Sequence, residues 1–509
     1  MVGPTYPGVY IHESSSRPVI QGASTSVAAF VGATERGPVD EPTLVTSWNE
    51  FSRTFGGFTW SSFTAWSVYT FFESGGQSCY VVRSGEGKGV AGKAQIGELE
   101  VSASGAGTWG DALLVTLSVN DAGAELRVMV AKSLVDAAEP STLSTKRLAM
   151  HVRRNACPTV DHEGTEYVQL ESHVVPGATA DSLAKRLADA SLFVRTTSTG
   201  TTTLTASGSA QLAGGVEPDG DASKSIGTLE SIGNVSLLAL PDAPLLVSDE
   251  GAADGEAHRA LLRDALDFCE KEQRVFLVAT SPLGLDVDAV LKFRQPLDST
   301  YGALYYPWIW VSDPATSQPC LIPADGAVLG RYAETDMNVG VYQAPAGVTD
   351  GMLSMVLGFE ANVGNAEQER LNPEGVNALR DLPQYGPVIW GARTLSRDPQ
   401  WTYINVRRLV TYIEQSLKQS FQWAVFEPND ANTWATLRHE ITSFLTGLWQ
   451  QGALYGAKAS EAFFVVIDES NNPATARGLG QLYIDIGIAP ARPAEFIIIR
   501  IMQTVASSS

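Results

Sequence analysis

The spacing of apolar residues changes twice along the chain, and each change marks a different kind of structure. Residues 26–85 and 216–376 contain short, uninterrupted apolar runs, such as 235–240 and 274–280, that are typical of buried strands. The stretch 255–274 between those two runs carries apolar residues at helical spacing. Strand, helix and strand in this order predict a middle α/β domain with a parallel sheet.

The segment that interrupts this pattern has a different texture. Residues 86–215 are rich in Ser, Thr, Ala and Gly and contain short runs of alternating apolar and polar positions, for example at 113–119. Such alternation is typical of half-buried strands. We therefore predict a β-rich insertion domain with a single helix near residues 180–190.

Helical spacing returns in the last part of the chain. Apolar residues fall on one helical face over 406–417 and again over 434–448, and Asp430 offers an N-cap for the second helix. Strand-like runs lie between and after these helices, at 422–426, 462–467, 482–488 and 495–502. The pattern predicts an α+β domain over residues 377–509.

Both ends of the chain carry strand-like runs. Residues 495–502 are almost entirely apolar, so both faces of this strand require burial, and an unpaired strand of this kind would promote aggregation. The N-terminal arm, residues 1–25, contains the weaker alternating run around Val9, Tyr10 and Ile11. From the residues alone, these strands pair either within their own subunit or with the sheet of a neighbour.

The charge balance excludes several classes of partner. The chain has 35 Lys and Arg against 56 Asp and Glu, a net charge of −21, which disfavours nucleic acid and anionic membrane surfaces. No apolar stretch is long enough for membrane insertion and no signal peptide is visible, so we expect a cytoplasmic protein. Residues 1–370 carry a net charge of −20 and residues 371–509 a net charge of −1. The two regions therefore face different surroundings, with the C-terminal one next to protein.

Motifs for catalysis or cofactor binding are weak. The glycines of 87–92 fit G-x-G-x-x-G, but a strand-like stretch follows where a dinucleotide site needs a helix, so we interpret them as a hinge. His12, His162 and His439 each precede a Glu, yet no second His stands four residues on to bind zinc. The four cysteines form no C-x-x-C pair and are predicted to be free thiols. We expect no cofactor, no metal and no enzyme activity; an α/β nucleotide-binding protein or enzyme remains the alternative.

Ordered motifs over most of the chain resemble contractile tail sheath proteins. The insertion contributes one of them, Thr108-Trp-Gly-Asp-Ala-Leu-Leu-Val115. The others are Tyr6-Pro-Gly-Val-Tyr-Ile11, Gly32-Ala-Thr-Glu-Arg-Gly-Pro38, Arg331-Tyr-Ala-Glu-Thr-Asp336, Gly340-Val-Tyr-Gln-Ala-Pro-Ala-Gly347, Leu371-Asn-Pro-Glu-Gly-Val-Asn377, Val388-Ile-Trp-Gly-Ala-Arg-Thr-Leu395, Tyr403-Ile-Asn-Val-Arg-Arg408, Phe426-Glu-Pro-Asn-Asp430, Leu448-Trp-Gln-Gln-Gly-Ala-Leu454, Glu461-Ala-Phe-Phe-Val465 and Ile488-Ala-Pro-Ala-Arg-Pro-Ala-Glu-Phe496.

The resemblance implies a sheath subunit that polymerises as stacked hexameric rings around an inner tube and contracts to drive the tube through a target envelope. Its partners would be further copies of itself, the tube, and the baseplate and tail terminator proteins. The particle would assemble in the bacterial cytoplasm as a phage tail or a phage-tail-like injection system. The C-terminal domain would face the tube, and the insertion would lie outside.

The resemblance also assigns roles to individual residues. Strand exchange between subunits would use Val9, Tyr10, Ile11, Glu495, Phe496, Ile497, Ile498, Ile499 and Ile501. Possible tube contacts are the basic residues that helical spacing places on polar positions, namely Arg407, Arg408, Lys418 and Arg438. Pairing within the domain, such as Glu414 with Lys418, is the alternative for these side chains.

Overall fold

The computed structural model describes residues 20–35, 37–59, 61–84, 89–120, 123–136, 148, 152, 157–176, 179–196, 203–216, 222–246, 255–314 and 317–495. The described chain forms two compact units. The central unit contains residues 24–408, and the C-terminal unit contains residues 20–23 together with 409–495. Mixed helices and strands in several sheets confirm the predicted α/β and α+β class at this level.

The strands are, in chain order, β1 (Ala28–Gly32), β2 (Thr43–Val45), β3 (Cys79–Arg83), β4 (Lys93–Ile96), β5 (Leu99–Ala103), β6 (Leu113–Asn120), β7 (Gly123–Ala131), β8 (Thr159–His162), β9 (Thr165–Pro176), β10 (Val194–Thr196), β11 (Gly208–Gln211), β12 (Leu237–Ala239), β13 (Phe276–Thr280), β14 (Gly302–Tyr306), β15 (Ile309–Ser312), β16 (Pro319–Ile322), β17 (Val356–Phe359), β18 (Val376–Leu382), β19 (Gly386–Ile389), β20 (Phe463–Val466) and β21 (Asp485–Ile488).

The α-helices are α1 (Trp48–Phe55), α2 (Thr64–Glu73), α3 (Lys132–Val135), α4 (Ala180–Ala190), α5 (Ala222–Gly227), α6 (Glu256–Glu272), α7 (Val287–Arg294), α8 (Asp325–Asn338), α9 (Gly347–Asp350), α10 (Asn365–Leu371), α11 (Ile404–Ser420), α12 (Ala431–Gln450), α13 (Ala459–Ala462) and α14 (Ala474–Gly478). Short 3₁₀ helices lie at Gly110–Ala112, Thr228–Ser231, Ala243–Leu245, Pro399–Trp401 and Gln422–Ala424.

An eight-stranded sheet forms the middle of the central unit, in the order β19-β18-β14-β13-β12-β1-β3-β2. The six inner strands run parallel, and the edge strands β19 and β2 are antiparallel to their neighbours. Successive residues of β1 point to opposite faces, so Ala28 and Phe30 enter one core with α1, α2 and α8, while Ala29 and Val31 enter a second core with α6 and α7. The predicted βαβ layer is confirmed.

The sheet extends further along the chain than expected. We predicted that the middle domain ends at residue 376, but β18 and β19 complete the same sheet. Leu379 and Ile389 are fully buried in its core, so the residues up to 389 cannot be assigned to a separate C-terminal domain. Residues Pro383-Gln-Tyr-Gly386, which fall inside the predicted C-terminal domain, are the turn of a hairpin at the edge of the sheet.

The described residues between 93 and 211 form two antiparallel sheets, ordered β10-β5-β4 and β11-β6-β7-β9-β8. They enclose a core of their own, in which Leu99, Leu126 and Leu183 are fully buried. Trp109 is 2% exposed and donates its indole N–H to the Ala106 carbonyl at 2.9 Å. Arg195 pairs with Glu35 near β1 at 3.3 Å, a contact between these sheets and the rest of the central unit.

The C-terminal unit combines the end of α11, all of α12 and the β20–β21 pair. The predicted apolar face of α12 is buried, and Asp430 caps this helix by accepting the Asn432 and Thr433 N–H groups at 3.0 Å. β20 and β21 confirm the strand predictions at 462–467 and, over a shorter length, at 482–488. The strand predicted at 422–426 is wrong: the chain forms a 3₁₀ turn there, and no strand within the described ranges pairs with it.

A candidate strand-docking sheet in the C-terminal unit

β20 and β21 form a sheet of only two strands in the part of the chain that the structure describes. They run antiparallel, with Phe463 opposite Ile488 and Val466 opposite Asp485. A two-stranded sheet is marginally stable by itself. Within the described residues no third strand pairs with 463–466 or 485–488, although just past β21 Leu454 forms a bridge with Pro490 and the Tyr455 N–H donates to the Ala489 carbonyl at 2.7 Å. This sheet is therefore the candidate functional site, because β20 and β21 can each accept a further strand.

The register identifies the groups that face these edges. The Ala489 N–H donates to the Ala462 carbonyl at 2.8 Å, so this pair belongs to the hydrogen-bonded class. Hydrogen-bonded and non-hydrogen-bonded pairs alternate along an antiparallel ladder. Val465 and Ile486 are three steps along and belong to the second class. Their N–H and C=O groups point away from each other, towards the two open edges.

One face of this sheet carries an exposed aromatic ring. Phe464 is 59% exposed, and its ring lies over Gly487, where a Cβ atom would collide with it. Phe463, on the opposite face, is buried, and β20 packs against α12. Ile486 and Ile488 stand opposite Val465 and Phe463, so they share this second face and are half-buried. A docked strand would thus gain main-chain hydrogen bonds and apolar contact together.

The structure places Arg407 inside the central unit. The side chain is 5% exposed, and its guanidinium lies 4.6 Å from the Tyr301 ring centre and 4.3 Å from that of Trp401. Our prediction that Arg407 occupies a polar, outward position is wrong. Helical spacing assigns a residue to one face of the helix, but it does not show which groups pack against that face. Here two aromatic rings stack on the guanidinium and allow it to be buried.

The same correction applies to Arg408, which is also 5% exposed. Its guanidinium binds both carboxylate oxygens of Asp336 on α8, with the Nη1–Oδ1 distance at 3.0 Å, and donates to the Thr25 carbonyl at 2.9 Å. It also lies 5.0 Å from the ring centre of Tyr332. Burial raises the pKa of Asp336, while Arg408 acts in the opposite direction. Arg408 therefore holds α11, α8 and the segment around Thr25 together.

The other two candidate tube contacts remain at the surface. Lys418 is exposed near the end of α11. Arg438 is exposed on α12, although one of its guanidinium nitrogens donates to the Ile467 carbonyl at the end of β20. These two residues are compatible with contact to another protein.

Most residues predicted to exchange between subunits lie outside the described residues: Val9, Tyr10, Ile11, Phe496, Ile497, Ile498, Ile499 and Ile501. Glu495 is described and half-buried, and lies outside any strand or helix. The sequence analysis did not single out β20 as a candidate acceptor strand, although Phe463-Phe-Val-Val466 has the same uninterrupted apolar character as residues 495–502. This apolar run indicates that both faces of the strand at 463–466 require burial, and it could have marked that strand as a candidate for pairing between subunits.

The eight-stranded sheet of the central unit also contains a position at which a ligand could be expected, at the carboxyl ends of β1 and β12. The order of the strands reverses between these two, and α/β enzymes bind their ligands at such a reversal. Here the Asp242 carboxylate accepts the Phe63 N–H at 2.6 Å at the start of α2, the Ala33 N–H at 2.7 Å and the Ser62 hydroxyl at 2.9 Å. The chain's own carboxylate thus occupies the place of a ligand phosphate, which disfavours the nucleotide-binding alternative.

Other predicted features have plain structural outcomes. The glycine motif at 87–92 leads into strand β4, and the residues of the motif up to Lys88 lie outside the described part. All four cysteines are free, and burial raises the pKa of the Cys79 and Cys269 thiols. Among the described residues, no group of three or more His, Cys, Asp or Glu could hold a metal ion. No described helix is both long and apolar enough to cross a membrane.

Comparison with known families gives two matches that together cover about half of the chain. The phage tail sheath protein central domain matches residues 243–395, and the phage tail sheath C-terminal domain matches residues 396–504. The boundary between these two matches lies after the β18–β19 hairpin, in agreement with the extended sheet.

Several curated proteins are similar in sequence. The tail sheath protein of Enterobacteria phage T4 is 25% identical over 253 residues, which are 48% of this chain and 37% of that protein. The tail sheath protein of Vibrio phage KVP40 is 27% identical over 184 residues, 36% of this chain and 26% of that protein. The chain thus spans between 26% and 37% of the length of these phage relatives.

Two solved structures are similar over nearly the whole chain. The helical sheath of the anti-feeding prophage in its contracted state is 25% identical, with a TM-score of 0.56 over 98% of this chain and 100% of that one. The sheath complex of an extracellular contractile injection system, PVC, in its contracted state is 22% identical, with a TM-score of 0.59 over 99% of both chains. The latter likeness concerns the fold alone.

Proposed function

Because this chain belongs to the phage tail sheath family, we propose that it is the subunit of a contractile sheath whose hexameric rings stack around an inner tube. The protein is structural and not an enzyme. Contraction of the sheath drives the tube through a target envelope. The similarity to the helical sheath of the anti-feeding prophage over nearly the full chain supports this function.

Strand exchange connects the subunits. The open edges of β20 and β21 receive the arm strand around Val9–Ile11 and the apolar strand at 495–502 from neighbouring copies. The observation that carries this proposal is the two-stranded sheet itself, with the backbone groups of Val465 and Ile486 directed outwards and Phe464 exposed. A connection made of main-chain hydrogen bonds keeps the polymer continuous while subunits rotate as rigid bodies.

The domains take different positions in the particle. The C-terminal part and the N-terminal arm form the inner layer facing the tube, the eight-stranded sheet forms a middle layer, and the insertion at 86–215 lies outside. The charge distribution supports this arrangement, because the net −20 of residues 1–370 suits a surface in water, whereas the net −1 of 371–509 suits contact with protein. Lys418 and Arg438 remain the candidates for tube contact.

Contraction draws its free energy from larger contacts between subunits in the contracted state. Asp242 at the sheet's switch point supports this view, since a nucleotide phosphate would have to displace a carboxylate with several donors already in place. The partners are further copies of this chain, the tube, and baseplate and terminator proteins. Assembly takes place in the bacterial cytoplasm, into a virion tail or a phage-tail-like particle, without nucleic acid or membrane insertion.

Two deletions test the strand exchange. Removal of residues 495–509 takes away the apolar strand, whereas removal of 503–509 leaves it intact and serves as the control. Electron microscopy of the purified control should show hollow cylinders with helical striations, and the longer deletion should lose connected rings. Normal connectivity in the longer deletion would contradict strand exchange. Uniform small particles of the full chain that bind a nucleotide would contradict the sheath function.

Single substitutions then separate the two edges. Val465→Pro removes an outward N–H from β20 while the ladder to β21 keeps its bonds, and Ile486→Pro does the same on β21. Val465→Thr retains the N–H and is the matched control. We expect each proline variant to lose assembly and the threonine variant to keep it. A proline variant that polymerises normally shows that its edge receives no strand.

A further inference from the structure

The connection between α11 and α12 carries an aromatic side chain that stands out into solvent. Phe426 is fully exposed, more than any other large apolar side chain among the described residues, and Val425 beside it is 59% exposed. The backbone of Phe426 lies in the left-handed region, with a φ of 73°, which a bulky residue rarely adopts. Strain of this kind is concentrated at functional sites, and exposed apolar groups mark interaction surfaces.

The turn that presents this ring is fixed at its base. The Glu427 N–H donates to the Ala424 carbonyl at 3.2 Å and closes the turn. The Asn429 side chain donates to the Gln481 carbonyl at 2.9 Å and accepts the Trp434 indole N–H at 2.8 Å. Because these bonds hold the turn in the free chain, little further ordering is needed when the ring is buried in a contact.

A groove of about 730 Å³ along α12, in the same unit, has the chemistry to receive such a ring. Ile20, Tyr412, Phe444 and Leu448 supply its apolar lining, and Gly447 leaves space beside them. The ring centres of Tyr412 and Phe444 lie 6.0 Å apart, a separation typical of aromatic pairs. The other lining side chains are polar or small and include neither Lys nor Arg. The groove therefore does not suit an acidic partner, whereas its aromatic lining suits a further ring.

We propose that the turn with Val425 and Phe426 of one copy of this chain docks in the α12 groove of a second copy. A second copy is the occupant because this chain carries both parts, and the full exposure of Phe426 places the ring outside the groove of its own chain. Turn and groove are different surfaces of the same unit, so the contact is heterologous: each copy offers its turn to one neighbour and its groove to another. Such a contact continues from copy to copy into a ring or a helical polymer. It uses none of the residues proposed for strand exchange and is separate from that connection.

Substitutions in the turn and in the groove test the strength of this contact. Phe426→Ser removes the exposed ring, and Gly447→Leu fills the groove at a position where a Cβ atom meets no atom within 4 Å. In sedimentation velocity of the purified full-length chain, each variant should need about tenfold to a hundredfold more protein to self-associate. The double variant should be no weaker than the weaker single variant, because both changes remove the same contact.

Two variants serve as controls for this measurement. Tyr385→Ser removes an exposed ring from the central unit, and Gly447→Ala changes the groove by a single methyl group. Both should self-associate like the unmodified chain. Normal association of Phe426→Ser or of Gly447→Leu overturns the proposal, and so does a double variant in which the two losses add.

Engineered disulfides identify the two surfaces that meet. Val425→Cys in the turn and Ser443→Cys in the groove are made in separate full-length chains, which are mixed, oxidised and analysed by denaturing electrophoresis. The unmodified chain is the control for the four native thiols, and Tyr385→Cys in place of Val425→Cys should give no product. We expect a crosslinked product of two chains in the mixture and in neither variant alone. A dimer of either variant alone would show that like surfaces meet, and absence of the mixed dimer would leave the groove to another occupant; both results overturn the proposal. Since the crosslink needs neither a tube nor a sheath, its failure is distinguishable from failure of the sheath function.

Discussion

Replacing Arg408 by Met should destabilise the central unit strongly, because it isolates a buried carboxylate. The Asp336 side chain is 1% exposed, and Arg408 supplies the opposite charge that binds both of its oxygens. Removing one partner of a buried ion pair typically costs about 3–5 kcal/mol, since the remaining charge stays without solvent. The Thr25 carbonyl loses the same donor. Because α8 carries Asp336, the loss should be felt first in that helix.

A second substitution separates the cost of the unpaired Asp336 charge from the cost of lost packing around Arg408. Asp336→Asn in the Arg408→Met background removes the isolated charge, and we expect it to restore about 2 kcal/mol or more of the loss. Lower pH should act in the same direction. Burial already raises the pKa of Asp336, and without Arg408 it rises further, so the carboxyl is protonated at a higher pH and the deficit is smaller at pH 5 than at pH 8.

Hydrogen exchange followed by mass spectrometry on peptides from α8 is the suitable assay, because it reports local stability in a chain of two units. A loss of 3–5 kcal/mol corresponds to exchange about a hundredfold to a few thousandfold faster. Lys418→Met, the same type of change at an exposed position of the same helix, is the control and should leave exchange within twofold. If Arg408→Met behaves like this control, the guanidinium faces solvent and our reasoning about α8 is wrong.

Two other carboxylates of the central unit give further predictions. Burial raises the pKa of Asp325 from 3.8 to about 6. The protonated carboxyl therefore stabilises the folded state. This contribution is fully present below pH 3.8, the pKa in the unfolded chain, and is lost as the pH rises through 6. Urea unfolding should therefore show about 3 kcal/mol of pH-dependent stability over that window, which Asp325→Asn abolishes; equal pH slopes contradict this. Asp242→Ala should cost about 3–5 kcal/mol of unfolding free energy in the same assay, because three donors lose their shared acceptor, and Ser62→Ala, which removes one donor, should cost about 1 kcal/mol. A loss for Asp242→Ala no larger than that for Ser62→Ala would contradict this role of the carboxylate.

Local periodicity accounts for the elements that could be predicted. The five apolar positions of α12 bury as one face, and Asp430 caps the helix, because both features depend only on residues within the same turn or two. The uninterrupted apolar run that becomes β13 predicted a buried parallel strand for the same reason. These elements needed no knowledge of what packs against them.

The wrong predictions concern positions whose structure depends on residues far away in the sequence. Nothing near Arg408 in the sequence reveals that Asp336, 72 residues away, neutralises it in the interior. The run 422–426 has strand-like composition but lacks a partner strand in the described chain, so Val425 and Phe426 are left 59% and fully exposed, and the short stretch turns into 3₁₀ geometry. β18 and β19 were assigned to the wrong domain because the end of β18, where it pairs with the edge strand β19, carries polar residues such as Arg380 and Asp381 that weaken the apolar signal.

Two carboxylates, Asp242 and Asp336, show how a sheet of the type found in α/β enzymes can serve a structural protein. In an α/β enzyme, the N-terminus of the first helix after a switch-point strand is left open for an anionic ligand. Here Asp242 fixes the start of α2 to the loop after β1, and Asp336 fixes the start of α11 and the segment at Thr25 to α8. Both carboxylates connect segments that are far apart in sequence, and Asp242 does so at the place where an enzyme of this fold would bind an anion. In the proposed function the subunit moves as a rigid body under load, and bonds of this kind serve that movement better than an accessible cleft would.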